Sequence, residues 1–425
     1  MSTPAPAVAS AARRALLANA NFRWLIAGGL LSMLGDQFTL LALPWLVMAI
    51  DRDPLVLGTV LALGSLPRAG FILVGGAIVD RHSPKTVLLL TKWINAALLA
   101  LLAALVISGA ATLPAVYALS LAIGLATAFS YPAGSAILPQ AVPAELLQPA
   151  NGLMMAARQT VLLLGPVLAG LLVAGGGEPG LSARGLALAF GFDALSFAVS
   201  AWTLMRVRTA SAAAKTRQPV FAAIAEALRS CWADRELRAL LLYFAAIAFF
   251  VGGPIQVALP VLASERLPGG AASLGLMLAV HGLGMLAGMA VSGLRPQWRL
   301  STLGGTLLLI DAVAGGVFLV FGHVHAAWQG AALLLPLGAL AGFMQVAVFS
   351  WLQRRIAPAM LGRSMALFMF IVMGLAPLAA AAAGAALRVL DVTELFTAAA
   401  LCLLAVVSIG TLFTPIRRIA YLAQR

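Results

Sequence analysis

The sequence predicts an all-α membrane protein, with twelve transmembrane helices in two pseudo-symmetric six-helix bundles. Three observations carry this: an apolar composition, apolar runs of spanning length, and the sorting of charge between the connections. Of 425 residues, 62% are hydrophobic and 10% charged, against about 25% charged in soluble domains. Mean hydropathy is +1.02. A spanning helix needs about 20 mainly apolar residues. Such runs recur near 25–48, 56–79, 87–108, 113–134, 153–175, 186–205, 240–262, 273–293, 302–321, 328–350, 367–387 and 394–414. A closed barrel would also satisfy every backbone group in lipid, but its strands alternate apolar and polar residues. These runs do not alternate.

The first run follows Arg13, Arg14 and Arg23, as a secretory signal would. It outlasts a signal's apolar stretch and lacks a small-residue cleavage site, so it reads as span one. With both termini placed in the cytoplasm, connections on that side hold 21 Lys/Arg and the opposite side four (Arg52, Arg184, Arg266, Arg388). Arg68 and Arg158 remain inside spans. This asymmetry orients the chain by the positive-inside rule. The net charge of +13 is then a topology signal, and nucleic acid is not a partner. Cys231 and Cys402, one in a connection and one in the last span, imply neither a disulfide framework nor a metal cluster.

The longest polar connection divides the chain into 1–205, a linker at 206–238, and 239–425. Within the linker FAAIAEALRSCW, 221–232, reads as an amphipathic helix on the cytoplasmic membrane surface. Asn21-Phe22-Arg23-Trp24-Leu25 resembles Glu236-Leu237-Arg238-Ala239-Leu240 at an offset of 215. Val142-Pro143-Ala144-Glu145-Leu146 and Ala357-Pro358-Ala359-Met360-Leu361 match at the same offset, which points to a duplicated six-helix unit.

The stretch Gly76-Ala77-Ile78-Val79-Asp80-Arg81-His82-Ser83-Pro84-Lys85 after span two resembles the loop signature of the major facilitator superfamily. Ser83 and Pro84 replace an expected glycine and basic residue. The resemblance implies a cytoplasmic latch made by Gly76, Asp80, Arg81 and Lys85 that stabilises an outward-facing state. The corresponding second-half loop, 293–299, has no acid. Gly165-Pro166-Val167-Leu168-Ala169-Gly170 is similar to an antiporter signature, with Val161 at one glycine position. A simple proline kink with close glycine packing fits those residues equally. NFRWLIAGGLLSMLGDQFTLLALPWLV, PAELLQPANGL and FDALSF resemble the branch that holds the enterobactin exporter and the macrolide-efflux proteins. The resemblance implies a monomeric transporter of the bacterial inner membrane, with a small-molecule substrate, protons as the coupling ion, and no cofactor.

Ionisable groups inside a bilayer mark pathways or partners. Asp36 in span one and Arg68 in span two lie at similar depth, as a proton-coupling pair or as a permanent structural one. Arg158 in span five either faces a cavity or extends to the cytoplasmic surface. Gln37, Gln256, His281 and Gln345 are candidate substrate-cavity contacts. Asp193 and Asp311 are read as structural, and His323 with His325 lacks a third metal ligand. Trp351, Met365, Phe368, Met369, Phe370 and Met373 could form an apolar substrate wall. HGLGMLAG, 281–288, lies in a helix with no preceding strand, so its glycines serve helix packing and not nucleotide binding. No catalytic constellation appears, and the chain is not expected to be an enzyme. The reading is proton-driven efflux of a small amphiphilic drug or siderophore by alternating access. The alternatives are a lipid or lysolipid transporter, or a non-transporting sensor.

Overall fold

The computed structural model describes residues 14–81, 83–174, 183–209, 226, 228–229, 231–294, 302–356, 365, 367–368, 370–371 and 374–421. The major helices follow the apolar runs: α1 Ala20–Ile50, α2 Pro54–Arg81, α3 Pro84–Ile107, α4 Leu113–Ala141, α5 Leu147–Ala174 and α6 Ala183–Arg206. Then come α7 Arg235–Arg266, α8 Ala271–Leu294, α9 Leu303–Phe321, α10 Ala327–Arg355, α11 Ala376–Ala386 and α12 Val392–Phe413. Ten are long and apolar enough to cross a membrane over their described residues. Shorter apolar segments, Pro54–Pro67 within α2 and Ala376–Ala386, occupy the other two expected spans. Among the described residues no named strand occurs; one isolated bridge joins Thr302 to Ala420.

Span seven is not one rod. It consists of Arg235–Phe250 and Gly252–Arg266, with a turn at Val251. Pro254 has no N–H to offer the carbonyl four residues earlier, and Gly252 and Gly253 tolerate the bend. The hydropathy of the run carries no sign of this break.

Contacts divide the chain into two compact units, one of residues 1–43 and 70–217, the other of 44–69 and 218–425. This grouping differs from the division by chain order, since it takes Pro44–Ala69 into the second unit. Most of the surface-helix candidate at 221–232 lies outside the described residues.

In the first unit Phe22, Ile137, Ala150 and Leu204 are among the residues of a buried cluster. Asn19 caps α1, accepting from the Phe22 N–H at 3.1 Å. Asn21 donates to the Ala141 carbonyl at 3.2 Å and the Arg208 carbonyl at 2.9 Å, joining the start of α1 to the ends of α4 and α6.

The second unit repeats this device with charge. Asp234, at the same offset of 215 from Asn19, caps α7 by accepting from the N–H groups of Glu236 (3.0 Å) and Leu237 (3.2 Å). Arg355 at the end of α10 donates to Asp234 Oδ2 at 2.9 Å. Burial opposes ionisation of Asp234, but the bonds from Arg355 and Leu237 outweigh it and hold the carboxyl below its ordinary 3.8. A depressed folded pKa gives stability that is complete above the ordinary value and is lost as pH falls through the folded one. Asp234→Ala is therefore expected to cost about 1 to 2 kcal/mol at neutral pH and to flatten the acid limb of the stability profile, read by thermal unfolding across pH. An unchanged acid limb would refute this account of the cap.

Elsewhere in the second unit α8 and α10 interlock. A Cβ on Gly284 or Gly288 would strike the carbonyl oxygens of Leu335 or Ala339, and one on Gly338 or Gly342 those of His281 or Met285. Gly284 and Gly288 of the 281–288 stretch are packing residues, as their sequence context implies. Arg388 donates through Nε to both oxygens of Asp53, at 3.1 and 2.9 Å, beside Gly384, where a Cβ would meet the carbonyl of Pro54.

Candidate functional site

Helical spacing builds the site. On α3, Leu88, Lys92 and Asn95 fall at i, i+4 and i+7, one face of a helix. On α1, Ser32 and Asp36 do the same at i and i+4. Together with residues of α4, α5 and α6 they line a cavity of about 540 Å³ within the first unit. Its polar lining includes Ser130 of α4, Asn151 and Arg158 of α5, and Ser200 of α6; its apolar lining includes Met33, Met154, Met155 and Ile137.

Lys92 is 8% exposed. Its ammonium donates to Ser32 Oγ at 3.0 Å and lies 5.3 Å from the centroid of the Phe197 ring, close enough for a cation–π contribution. Asp36 and Asp193 both lie within electrostatic reach of it. Asp36 is exposed on the cavity wall. Asp193 is 1% exposed and accepts from Thr39 Oγ1 and, at 3.2 Å, from Ser196 Oγ. α1 and α6 approach closely here because Gly28 faces Ser200 and Thr203 while Gly35 faces Asp193 and Ser196.

Asn95 is 1% exposed, and neither its amide nitrogen nor its oxygen has a hydrogen-bond partner among the described residues. An unsatisfied buried polar group costs about 1 to 3 kcal/mol, so such a residue in a folded core requires an explanation.

The expected site residues fall in different places. Asp36 and Arg158 share the cavity wall. Gln37, the next residue of α1, packs instead against α5, filling the space a side chain on Gly165 would need. Pro166 is inside α5, and Gly165, Pro166 and Gly170 are all buried. Lys85 donates to the carbonyls of Met205 (3.2 Å) and Val207 (2.6 Å), at the end of α6. The side-chain positions of Arg68, Gly76, Asp80 and Arg81 lie outside the described residues. In the second unit Gln256 and His281 are half-buried and Gln345 exposed. Asp311 accepts from the Tyr243 hydroxyl at 2.7 Å, which ties α9 to α7. Trp351 and Phe368 are buried core residues rather than an open wall: Trp351 Nε1 donates to the Ala420 carbonyl at 3.1 Å, and Phe368 meets Phe244 and Phe349 edge-on. Met369 and Met373 lie outside the described residues.

Lys92 and Asn95 are the residues that sequence reasoning missed. The charge count assigns Lys92 to a cytoplasmic connection, yet the helix begins at Pro84, with proline at its first turn. Eight residues at 1.5 Å each put Lys92 about 12 Å into the span. Its position inside the apolar run 87–108 was the available signal.

The chain matches the Major Facilitator Superfamily over residues 25–381. The search of curated proteins found no match. Among solved structures it is similar to the POT family transporter PepTSo, with TM-score 0.73, 12% identity, and coverage of 94% of this chain and 98% of that one. A bacterial homologue of the iron transporter ferroportin in an inward-facing state gives TM-score 0.69, 19% identity, and coverage of 94% and 98%. A D-xylose-proton symporter gives 0.65, 13%, and 94% and 97%.

Proposed function

Because the chain belongs to the Major Facilitator Superfamily, a family of transporters rather than enzymes, we propose that it exports a small amphiphilic molecule, a drug or siderophore, in exchange for protons. The observation that carries this reading is the Asp36 carboxylate on the wall of a cavity it shares with buried Lys92. Proton exchange requires a carboxylate whose charge is alternately matched and released. An adjacent cation favours its ionised form, and separation from that cation removes the preference. The apolar lining of the same cavity suits the body of an amphiphile. The proposal extends to placement in a bacterial inner membrane as a monomer with both termini cytoplasmic, and to the latch role of Gly76, Asp80, Arg81 and Lys85. Arg68 of span two is proposed as the other member of the coupling pair with Asp36.

The test is transport in proteoliposomes of a radiolabelled macrolide and of a catecholate siderophore under an imposed pH gradient. Accumulation of either that requires the gradient and collapses with a protonophore is the expected result. Movement indifferent to the gradient would remove proton coupling.

A further inference from the structure

The cavity in the first unit holds more than the coupling reading uses. Asn95, which lines the cavity with Lys92, Arg158 and Asp36, holds a buried donor and a buried acceptor with no partner among the described residues. Lys92 has three donor hydrogens, and its hydrogen bond to Ser32 occupies one. Among the described residues the charged groups of this lining are Lys92, Arg158 and Asp36, and the Asp193 carboxylate acts on Lys92 as well. Asp193 stands behind the wall, held by Thr39 and Ser196. A volume of about 540 Å³ falls within the range of small-molecule pockets. The methionines among its apolar walls adapt to irregular shapes.

We propose that this intra-bundle cavity binds an organic carboxylate on an apolar body, with Lys92 and Arg158 facing the anion and the Asn95 amide hydrogen-bonding at the same end. Two cations on one wall favour an anionic head group. The amide oxygen of Asn95 selects a ligand with a hydroxyl or N–H beside its carboxylate. The proposal rests on the transport reading and narrows its amphiphiles to carboxylates, which leaves the cationic macrolides outside this cavity, and it is tested as equilibrium binding without a gradient. Loss of coupling with binding intact would refute only the transport mechanism; absent binding would refute only this site.

The experiment uses the full chain in nanodiscs, titrated with 2-hydroxy-2-(2-naphthyl)acetate, its neutral amide and 2-hydroxy-2-(2-naphthyl)ethylammonium, with thermal unfolding and calorimetry as readouts. Saturable binding of the carboxylate, absent for the other two, is expected. Lys92→Met should weaken it roughly tenfold or more. That variant also removes a partner of Ser32, so Asn95→Leu is the decisive one. It deletes an unpartnered amide at similar volume and should leave the ligand-free protein at least as stable while weakening carboxylate binding roughly tenfold. Equal binding of all three probes, or wild-type carboxylate affinity in Asn95→Leu, would overturn the proposal. The latter result would leave water as the amide's partner.

Discussion

Gly288→Leu is expected to remove nearly all folded protein from the membrane fraction. Lipid tails are as apolar as leucine, so no hydrophobic force drives two membrane helices together; they associate by close packing. α8 and α10 gain that packing by placing Gly284 and Gly288 against one backbone and Gly338 and Gly342 against the other. The obstacle a side chain at 288 would meet is the Ala339 backbone, which cannot rotate aside. A cost of about 3 kcal/mol, the upper end for overpacking, is a large fraction of the stability of an ordinary fold. The measurement is the yield of monodisperse protein by fluorescence-detected size exclusion. Gly316→Ala, where an added Cβ meets nothing within 4 Å, serves as the control and should behave as wild type. A monodisperse Gly288→Leu at wild-type yield would contradict the interlock.

Asp36→Asn is expected to abolish gradient-driven transport while sparing substrate counterflow, which needs no net proton movement. The exchange keeps the size of the side chain and removes only its charge, and Asp36 is exposed on the wall, so folding should survive. Lys92→Met is expected to reduce driven transport for a different reason: Asp36 and Asp193 lose the shared cation within their reach. If the two residues act as a unit, the double variant should do no worse than either single one. Additive losses would separate them, and full gradient-driven transport by Asp36→Asn would end the coupling argument.

Much of the architecture was legible because bilayer thickness imposes one length on every span and excludes most other backbone arrangements. Charge placed at the ends of apolar runs was legible too. Asn19 and Asp234, 215 residues apart though outside both matched stretches, do the same work: each supplies an acceptor for the first N–H groups of its leading helix. The site was less legible. The charge count places Lys92 with the cytoplasmic connections; only three-dimensional packing shows it turned toward Ser32 and Phe197. Asn95 has no charge to mark it, and its lack of partners is a property of what surrounds it. Gln37 and Asp36 are neighbours in sequence, yet about 100° of helical rotation sends one to Gly165 and the other to the cavity.

The interruption of α7 changes what that element can transmit. An unbroken helix behaves as a beam, so torque at one end arrives at the other. With Val251, Gly252, Gly253 and Pro254 in its middle, α7 is two struts with a joint. The first strut is pinned by Tyr243 to Asp311; the second is seated where Gly253 lies against the Ala379 backbone. The two struts thus have separate anchorages, on α9 and on α11, while bonds from the Val251 N–H to the Ile247 carbonyl (2.9 Å) and from the Ile255 N–H to the Val251 carbonyl (3.2 Å) keep the joint helical.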